Sequence, residues 1–476
     1  FTMKKIFITS LFLLTSLGVS AQIDRDKMPE PTQMPTFVLG NPVITKLPNG
    51  LTLMVVEDHK LPRVSMSLTI DNPPINETEK PGLYYLTSAL MGAGSKNISK
   101  EAFVEEIDLM GANLYISADG GSTYSLTRYF PRVLELFAQA AIEPNFSQAE
   151  LDKARDKAIA SLKAEENSTQ SIISRLNSTL TYSKAHPYGS FYTEESLKSI
   201  TLSDIKSFYK EHFSPATAYM VVVGDITADE VEKLVKDNFH KWLPAKSLQL
   251  STPTPIDVQY TQVNLVDVPT AVQTEISALN LYNLKMSDKD YFAVRVMNYI
   301  LGGDYGSYIN MNLREQHGYT YGARSYMGTN RFTMANFFVS VRVRNEVAAK
   351  SVIEILKEIK RIQTEDVSAK KLEEVKGQLI GRFVMSTENP STIASLALNR
   401  EIQKLPADFY TNYIKNIEAV TVADVKRVAN KYIKLNNLRF IIVGKVADFV
   451  KELEQIKHNG KPLPVFYYDK YANKLK

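Results

Sequence analysis

The chain has 476 residues, 44% hydrophobic and 23% charged, which is enough to build more than one sizeable core and excludes global disorder. Its formal charge is +4, of which Lys4 and Lys5 supply two, and the near-neutral remainder excludes the basic footprint that nucleic acid requires. The absence of cysteine excludes disulfides, thiolate metal sites and lipid attachment through a cysteine.

Lys4 and Lys5 precede an apolar run over 6–19, and Val19, Ser20 and Ala21 offer small residues before Gln22. Residues 1–21 therefore read as a cleaved signal peptide starting at Met3, the run being too short to span a bilayer comfortably. Export without cysteine points to a bacterial periplasmic or secreted protein. Residues 22–40, broken by Pro29, Pro31 and Pro35, read as an extended leader. Asn49-Gly50 between apolar runs predicts a hairpin, with strands over 51–56 and 64–70. Helices are predicted over 83–91, 99–110, 131–142 and 147–166, with strands inside 113–128. Ser147 and Glu150 have the spacing of a capping box.

An internal repeat organises the rest. Residues 200–206 recur as 420–426, and 219–224 as 439–444, both at an offset of 220. Residues 151–160 match 372–381 at 221, and 88–92 match 298–302 at 210. The shared order argues for duplication of whole domains of about 200 residues. Each copy ends alike: Thr201 or Thr421 caps a helix, Asp204 or Asp424 follows three residues later, and an apolar strand comes next. The expected domains are 41–244 and 257–476, joined by a Ser/Thr/Pro-rich linker over 245–256.

Residues 81–90, Pro-Gly-Leu-Tyr-Tyr-Leu-Thr-Ser-Ala-Leu, resemble the Gly-Leu-Ala-His-x-x-Glu-His-Met helix of the M16 (pitrilysin-type) zinc peptidases. The resemblance implies an α+β fold of two homologous LuxS/MPP-like domains, mostly antiparallel sheet flanked by helices, arranged as a clamshell. In that helix two histidines one turn apart face a zinc ion, the glutamate between them polarises water, and a downstream glutamate completes the ligands. Here Tyr85, Ser88 and Ala89 stand at the first histidine, the glutamate and the second histidine, and the downstream position falls on or near Ser161. Alanine cannot ligate, and tyrosine or serine rarely binds zinc, so no metal is expected. Glu165 and Glu166 read as a solvated helix end, with a displaced ligand as the other reading. His59, His186, His212, His240, His317 and His458 are scattered, with no pair one helical turn apart. His186 lies in a His-Pro-Tyr-Gly stretch that resembles a structural turn of the family.

Residues 313–322, Leu-Arg-Glu-Gln-His-Gly-Tyr-Thr-Tyr-Gly, resemble the family's Leu-Arg-Glu-x-x-Gly-x-x-Tyr motif, and 301–307 resemble the glycine-rich turn before it. In catalytic members the arginine and tyrosine bind the substrate backbone and help stabilise charge on the scissile carbonyl. The resemblance carries that role onto Arg314 and Tyr321. A guanidinium fork and a phenolic donor suit it. Gly318 is expected to end the helix and a strand to start over 319–323, letting Tyr321 converge on Arg314. Local sequence alone favours an Arg314 salt bridge and a Tyr321 packed within a strand; the surrounding motif favours the substrate-binding role.

Half an active site without its metal half implies divided labour. The expected protein is a non-catalytic subunit that pairs with a zinc-bearing M16 homologue, as a heterodimer or larger, and acts on peptides or unfolded polypeptide. Zinc is expected only in the partner, and no stable membrane insertion after signal cleavage. The alternative is a structural or peptide-binding scaffold outside proteolysis; an independent enzyme with a rebuilt site is a third reading. The aromatic tail around Tyr467, Tyr468 and Tyr471 has no role legible in sequence.

Overall fold

A computed structural model describes residues 42–77, 79–92, 94–245 and 252–475. The predicted signal peptide, the leader and the middle of the linker lie outside them.

Strands β1 (Val43–Lys46) and β2 (Thr52–Glu57) make the predicted hairpin, Lys46 opposite Thr52. Next come β3 (Arg63–Ile70), α1 (Leu83–Met91), α2 (Lys100–Leu109), β4 (Asn113–Ser117) and β5 (Gly120–Leu126). Helices α3 (Phe130–Ile142), α4 (Gln148–Ala164), α5 (Thr169–Tyr182), α6 (Glu194–Ser199) and α7 (Leu202–His212) lead into β6 (Ala218–Gly224) and α8 (Ala228–Phe239). The capping box predicted at α4 is only half made. Ser147 Oγ accepts the Glu150 N–H at 3.3 Å, but the Glu150 carboxylate turns to Lys100 (3.0 Å) and Lys153 (2.9 Å) instead. The Thr201–Asp204 box of α7 is complete.

The second half repeats this order with β7 (Gln262–Asp267), β8 (Gln273–Tyr282), α9 (Tyr291–Asn298), α10 (Tyr308–Asn310), β9 (Ala323–Met327) and β10 (Ala335–Arg344). Helices α11 (Ala348–Thr364), α12 (Ala369–Ser386), α13 (Pro390–Gln403), α14 (Tyr413–Glu418) and α15 (Val422–Tyr432) precede β11 (Arg439–Gly444) and α16 (Val450–Leu453). A small hairpin, β12 (Lys457–His458) and β13 (Lys461–Pro462), leads to β14 (Val465–Tyr467). The Thr421–Asp424 box opens α15.

Each half holds a six-stranded mixed sheet. Their orders, β1-β2-β6-β3-β5-β4 and β14-β7-β11-β8-β10-β9, correspond strand for strand except at the first edge. Hydrogen-bond register fixes the equivalence. Val223 pairs with Ser65 and Val443 with Glu275, so the 220-residue offset at β6/β11 becomes 210 at β3/β8.

One face of the first sheet, including Met66, Leu68, Met220 and Val222, packs on α3 and α8 through Phe130, Leu134, Phe137, Val231 and Val235. The other faces of both sheets are covered by exchange. Helix α5 of the first half lays Ile172, Ile173 and Leu176 on Val266, Leu279, Ile441 and Val443 of the second sheet. Helix α13, its counterpart 221 residues on, crosses β2 and β6 of the first sheet with Ala394 and Ala397 buried. This is why β6 and β11 read as continuous apolar runs: both faces are covered. Asn177 Nδ2 donates to Ser277 Oγ (3.0 Å), the Tyr182 hydroxyl donates to the Met334 carbonyl (3.1 Å), and Arg331 pairs with Asp71 across the halves.

The tail has a packing role. After β14 pairs in parallel with β7, Lys470 meets Glu166 and its carbonyl accepts from Arg175 at 2.8 Å. Arg175 sits between the Phe191 and Tyr471 rings, 5.1 and 5.4 Å from their centres. No helix among the described residues is long and apolar enough to cross a membrane.

Candidate functional site

Helix α1 carries the positions that resemble the metal helix. Its N-terminus is held by Glu77, whose carboxylate accepts the Tyr84 N–H; burial pushes that carboxyl's pKa up. The Tyr85 ring lies 5.2 Å from that of Tyr192 and packs in an apolar cluster with Leu86 and Leu162. Ser88 Oγ accepts the Ala118 N–H at 3.1 Å. Ala89 is exposed and carries no ligating atom, and Ser161 on α4 is exposed too. Glu165 accepts from Ser171 Oγ at 3.0 Å, and Glu166 pairs with Lys470; both acids tie down a solvated helix end. An aromatic plug, a hydroxyl spent on the backbone and a methyl group do not fit a zinc ion. Among the described residues, no three His, Asp or Glu side chains lie where they would share a metal.

Arg314 stands where the helix after α10 widens to a π-helical turn, Met311–Gln316, a distortion common at functional sites. Its guanidinium lies 4.5 Å from the centre of the Tyr305 ring, and its Nε is 3.4 Å from Glu315. The Tyr305 hydroxyl donates to Glu315 at 2.7 Å. Gly318 ends the turn as predicted, at φ +63°; its N–H reaches the Arg314 carbonyl at 3.1 Å and the Tyr319 N–H the Leu313 carbonyl at 2.8 Å.

Tyr321 departs from expectation. Strand β9 begins at Ala323, the first residue to pair with β10. Thr320 Oγ1 accepts the Gly322 N–H at 3.1 Å and turns the backbone before it. Tyr321 therefore lies in the preceding loop and is 93% exposed. It is not a packed strand aromatic, and it makes no hydrogen bond with Arg314.

Residues that sequence reasoning missed hold this loop. Asn310 Nδ2 donates to the Tyr305 carbonyl (2.6 Å), and its Oδ1 accepts the Ala323 N–H (3.1 Å). The Asp304 carboxylate accepts from Tyr299 (3.1 Å) and Arg382 (2.8 Å); burial alone raises its pKa, but these donors and nearby backbone N–H groups hold it below the usual range. Gly302 permits the close approach: a Cβ there would lie 2.4 Å from the Ser325 nitrogen. Only the glycine-rich run marked this loop in sequence.

Two consecutive family descriptions match the chain: "Insulinase (Peptidase family M16)" over residues 53–191 and "Peptidase M16 inactive domain" over 199–379. The chain belongs to peptidase family M16. It is similar to the non-peptidase homolog YmxG of Helicobacter pylori, 21% identical over 395 residues, 82% of this chain and 90% of that one. The crystal structure of a peptidase M16 inactive domain from Pseudomonas fluorescens superposes with a TM-score of 0.76 at 21% identity, covering 85% of this chain and 98% of that one. The periplasmic protease PqqL of Escherichia coli superposes with a TM-score of 0.68 at 17% identity, covering 88% of this chain but 49% of its own. These structural matches fix the fold: two M16-type domains.

Proposed function

We propose that this chain is the non-catalytic subunit of an exported M16-type peptidase, paired with a homologue that carries the zinc helix. One observation carries the reading. Where the metal helix resembles the family's, Tyr85, Ser88 and Ala89 are committed to packing or lack a ligating atom, while Arg314 and Tyr321 remain at the surface and available to a substrate. The chain's own share of such an assembly is metal-free. PqqL supports pairing by its size, since a chain of this length covers about half of it. PqqL is a periplasmic protease, in agreement with the apolar segment at 6–19. Strand β4 ends its sheet, so an extended peptide has an edge to pair with.

The test combines the purified chain with a zinc-bearing M16 homologue and follows hydrolysis of an unfolded polypeptide. Arg314→Ala and Tyr321→Phe are expected to lower kcat/KM by roughly tenfold or more, with assembly unchanged by size exclusion. Unchanged hydrolysis overturns the role in trans and leaves the scaffold reading. Stoichiometric zinc in the isolated chain overturns the metal-free assignment.

A further inference from the structure

The duplication places a second copy of the metal-helix position in the second half, and its chemistry is inverted. The offset of 210 set by β3 and β8 puts Arg295 opposite Tyr85, Asn298 opposite Ser88 and Tyr299 opposite Ala89. The offset of 221 puts Arg382 opposite Ser161 and Tyr413 opposite Tyr192. Contacts bear the alignment out: Tyr85 packs on Tyr192 in the first half, and the Arg295 guanidinium lies 5.6 Å from the centre of the Tyr413 ring in the second.

In the first half the Tyr85 ring is packed against Tyr192, and Ala89 and Ser161 face solvent. In the second half their counterparts open into a cavity of about 820 Å³, a size that suits a few peptide residues. Three arginines line it (Arg295, Arg324 and Arg382) and no carboxylate does. Arg382 is engaged with the Asp304 carboxylate beyond the wall, and Arg324 with the Asp304 carbonyl at 3.1 Å. Arg295 is different. It is exposed to the cavity, and its contacts are neutral: the Tyr291 hydroxyl at 3.2 Å and the Tyr413 ring. Among the described residues no Asp or Glu pairs with it. A guanidinium held over an aromatic ring keeps its fork free, and that fork matches a carboxylate bidentately. Tyr326, Phe383 and Tyr410 give the rest of the wall an aromatic character suited to an apolar neighbour of that carboxylate.

We propose that this cavity is a carboxylate-binding site for peptide, with Arg295 as the anchor and the aromatic wall receiving the adjoining residue. The carboxylate comes from the chain terminus or from an acidic side chain. The site does not depend on the partnership proposed above, because it is complete within this chain.

The test is fluorescence anisotropy on the isolated full chain with three N-terminally labelled peptides: Ala-Ala-Ala-Phe as the free acid, the same peptide as the amide, and Ala-Ala-Glu-Phe as the amide. Binding of the free acid alone identifies a terminus reader; binding of both acidic peptides, and not the neutral amide, identifies a reader of either source. Arg295→Gln is expected to weaken the acidic peptides at least tenfold and to erase their advantage over the neutral amide, with Arg295→Lys in between. Lys233→Ala, at an exposed position on α8 of the first half, is expected to leave all three unchanged. Equal binding of acid and neutral amide, no binding of any peptide, or full affinity in a folded Arg295→Gln variant overturns the proposal. If Arg295→Gln does not fold, the acid-against-amide comparison on the unaltered chain decides.

Discussion

Asp290 lies 3% exposed at the start of α9 and accepts from Arg427 (2.8 Å), Lys431 (2.7 Å) and Tyr432 (2.8 Å) on α15. Burial alone raises its pKa, but the three donors outweigh that and hold it at about 2. A depressed carboxylate contributes stability that is fully present above its unfolded pKa, near 3.9, and is lost as pH falls through the folded value. Urea unfolding across pH is expected to show a loss of about 2 kcal/mol between roughly pH 5 and pH 2. Asp290→Asn is expected to remove most of that slope while costing about 2 kcal/mol at neutral pH, because both cationic partners are half-exposed. At this scale the sequence was informative where a residue type forbids a chemistry. Ala89 cannot ligate wherever it sits. It was uninformative where a role depends on a distant neighbour. Tyr321 falls outside the strand expected over 319–323 because the start of β9 is decided by pairing with β10. Nothing local marks Arg295, although the repeat at 210 makes it the counterpart of Tyr85.

The same division holds for elements. The boxes at Thr201 and Thr421 form with each aspartate also holding a cation, Lys80 at 2.6 Å on Asp204 and Arg427 at 3.0 Å on Asp424, because the short aspartate stays beside the N-cap N–H and hydroxyl of its own turn. The Ser147 box is half made because the longer Glu150 side chain spends both carboxylate oxygens on lysines, Lys100 and Lys153, and leaves none for the Ser147 N–H. Thr201→Ala and Thr421→Ala are each expected to cost about 1 kcal/mol in chemical denaturation. The double variant is expected to lose about the sum, since the sites share no contacts and sit in different halves. A marked excess over the sum would mean that the two helices communicate.

For the whole molecule, the repeat marks the matching ends of the two halves, and apolar runs and alternation mark β2 to β6 and β11, whereas β7, β8, β10 and β14 carry no signal that the sequence reading uses. The exchange of α5 and α13 was hidden, because a helix at the same place in each copy looks the same whether it covers its own sheet or its neighbour's. The exchange is also unequal. Ile173 and Leu176 on α5 correspond to Ala394 and Ala397 on α13, so one crossing is filled and apolar. The other leaves a hollow of about 450 Å³ beside Ser65, Ser67, Thr123 and Ser391. That hollow lies over the sheet that ends in β4, the edge open to an extended chain.

The reciprocal loan of α5 and α13 makes the molecule a handshake, and a handshake survives the cutting of a thread that joins the two people. Two polypeptides, one ending at Ala245 and the other beginning at Thr252, are expected to co-purify from one cell and to melt as a single body, whereas each made alone aggregates with its borrowed surface bare. Leu176→Ala, which hollows the filled grip at a cost of about 3 kcal/mol, is expected to loosen the severed pair far more than the intact chain. Separate, individually soluble pieces would mean that neither half needs its twin.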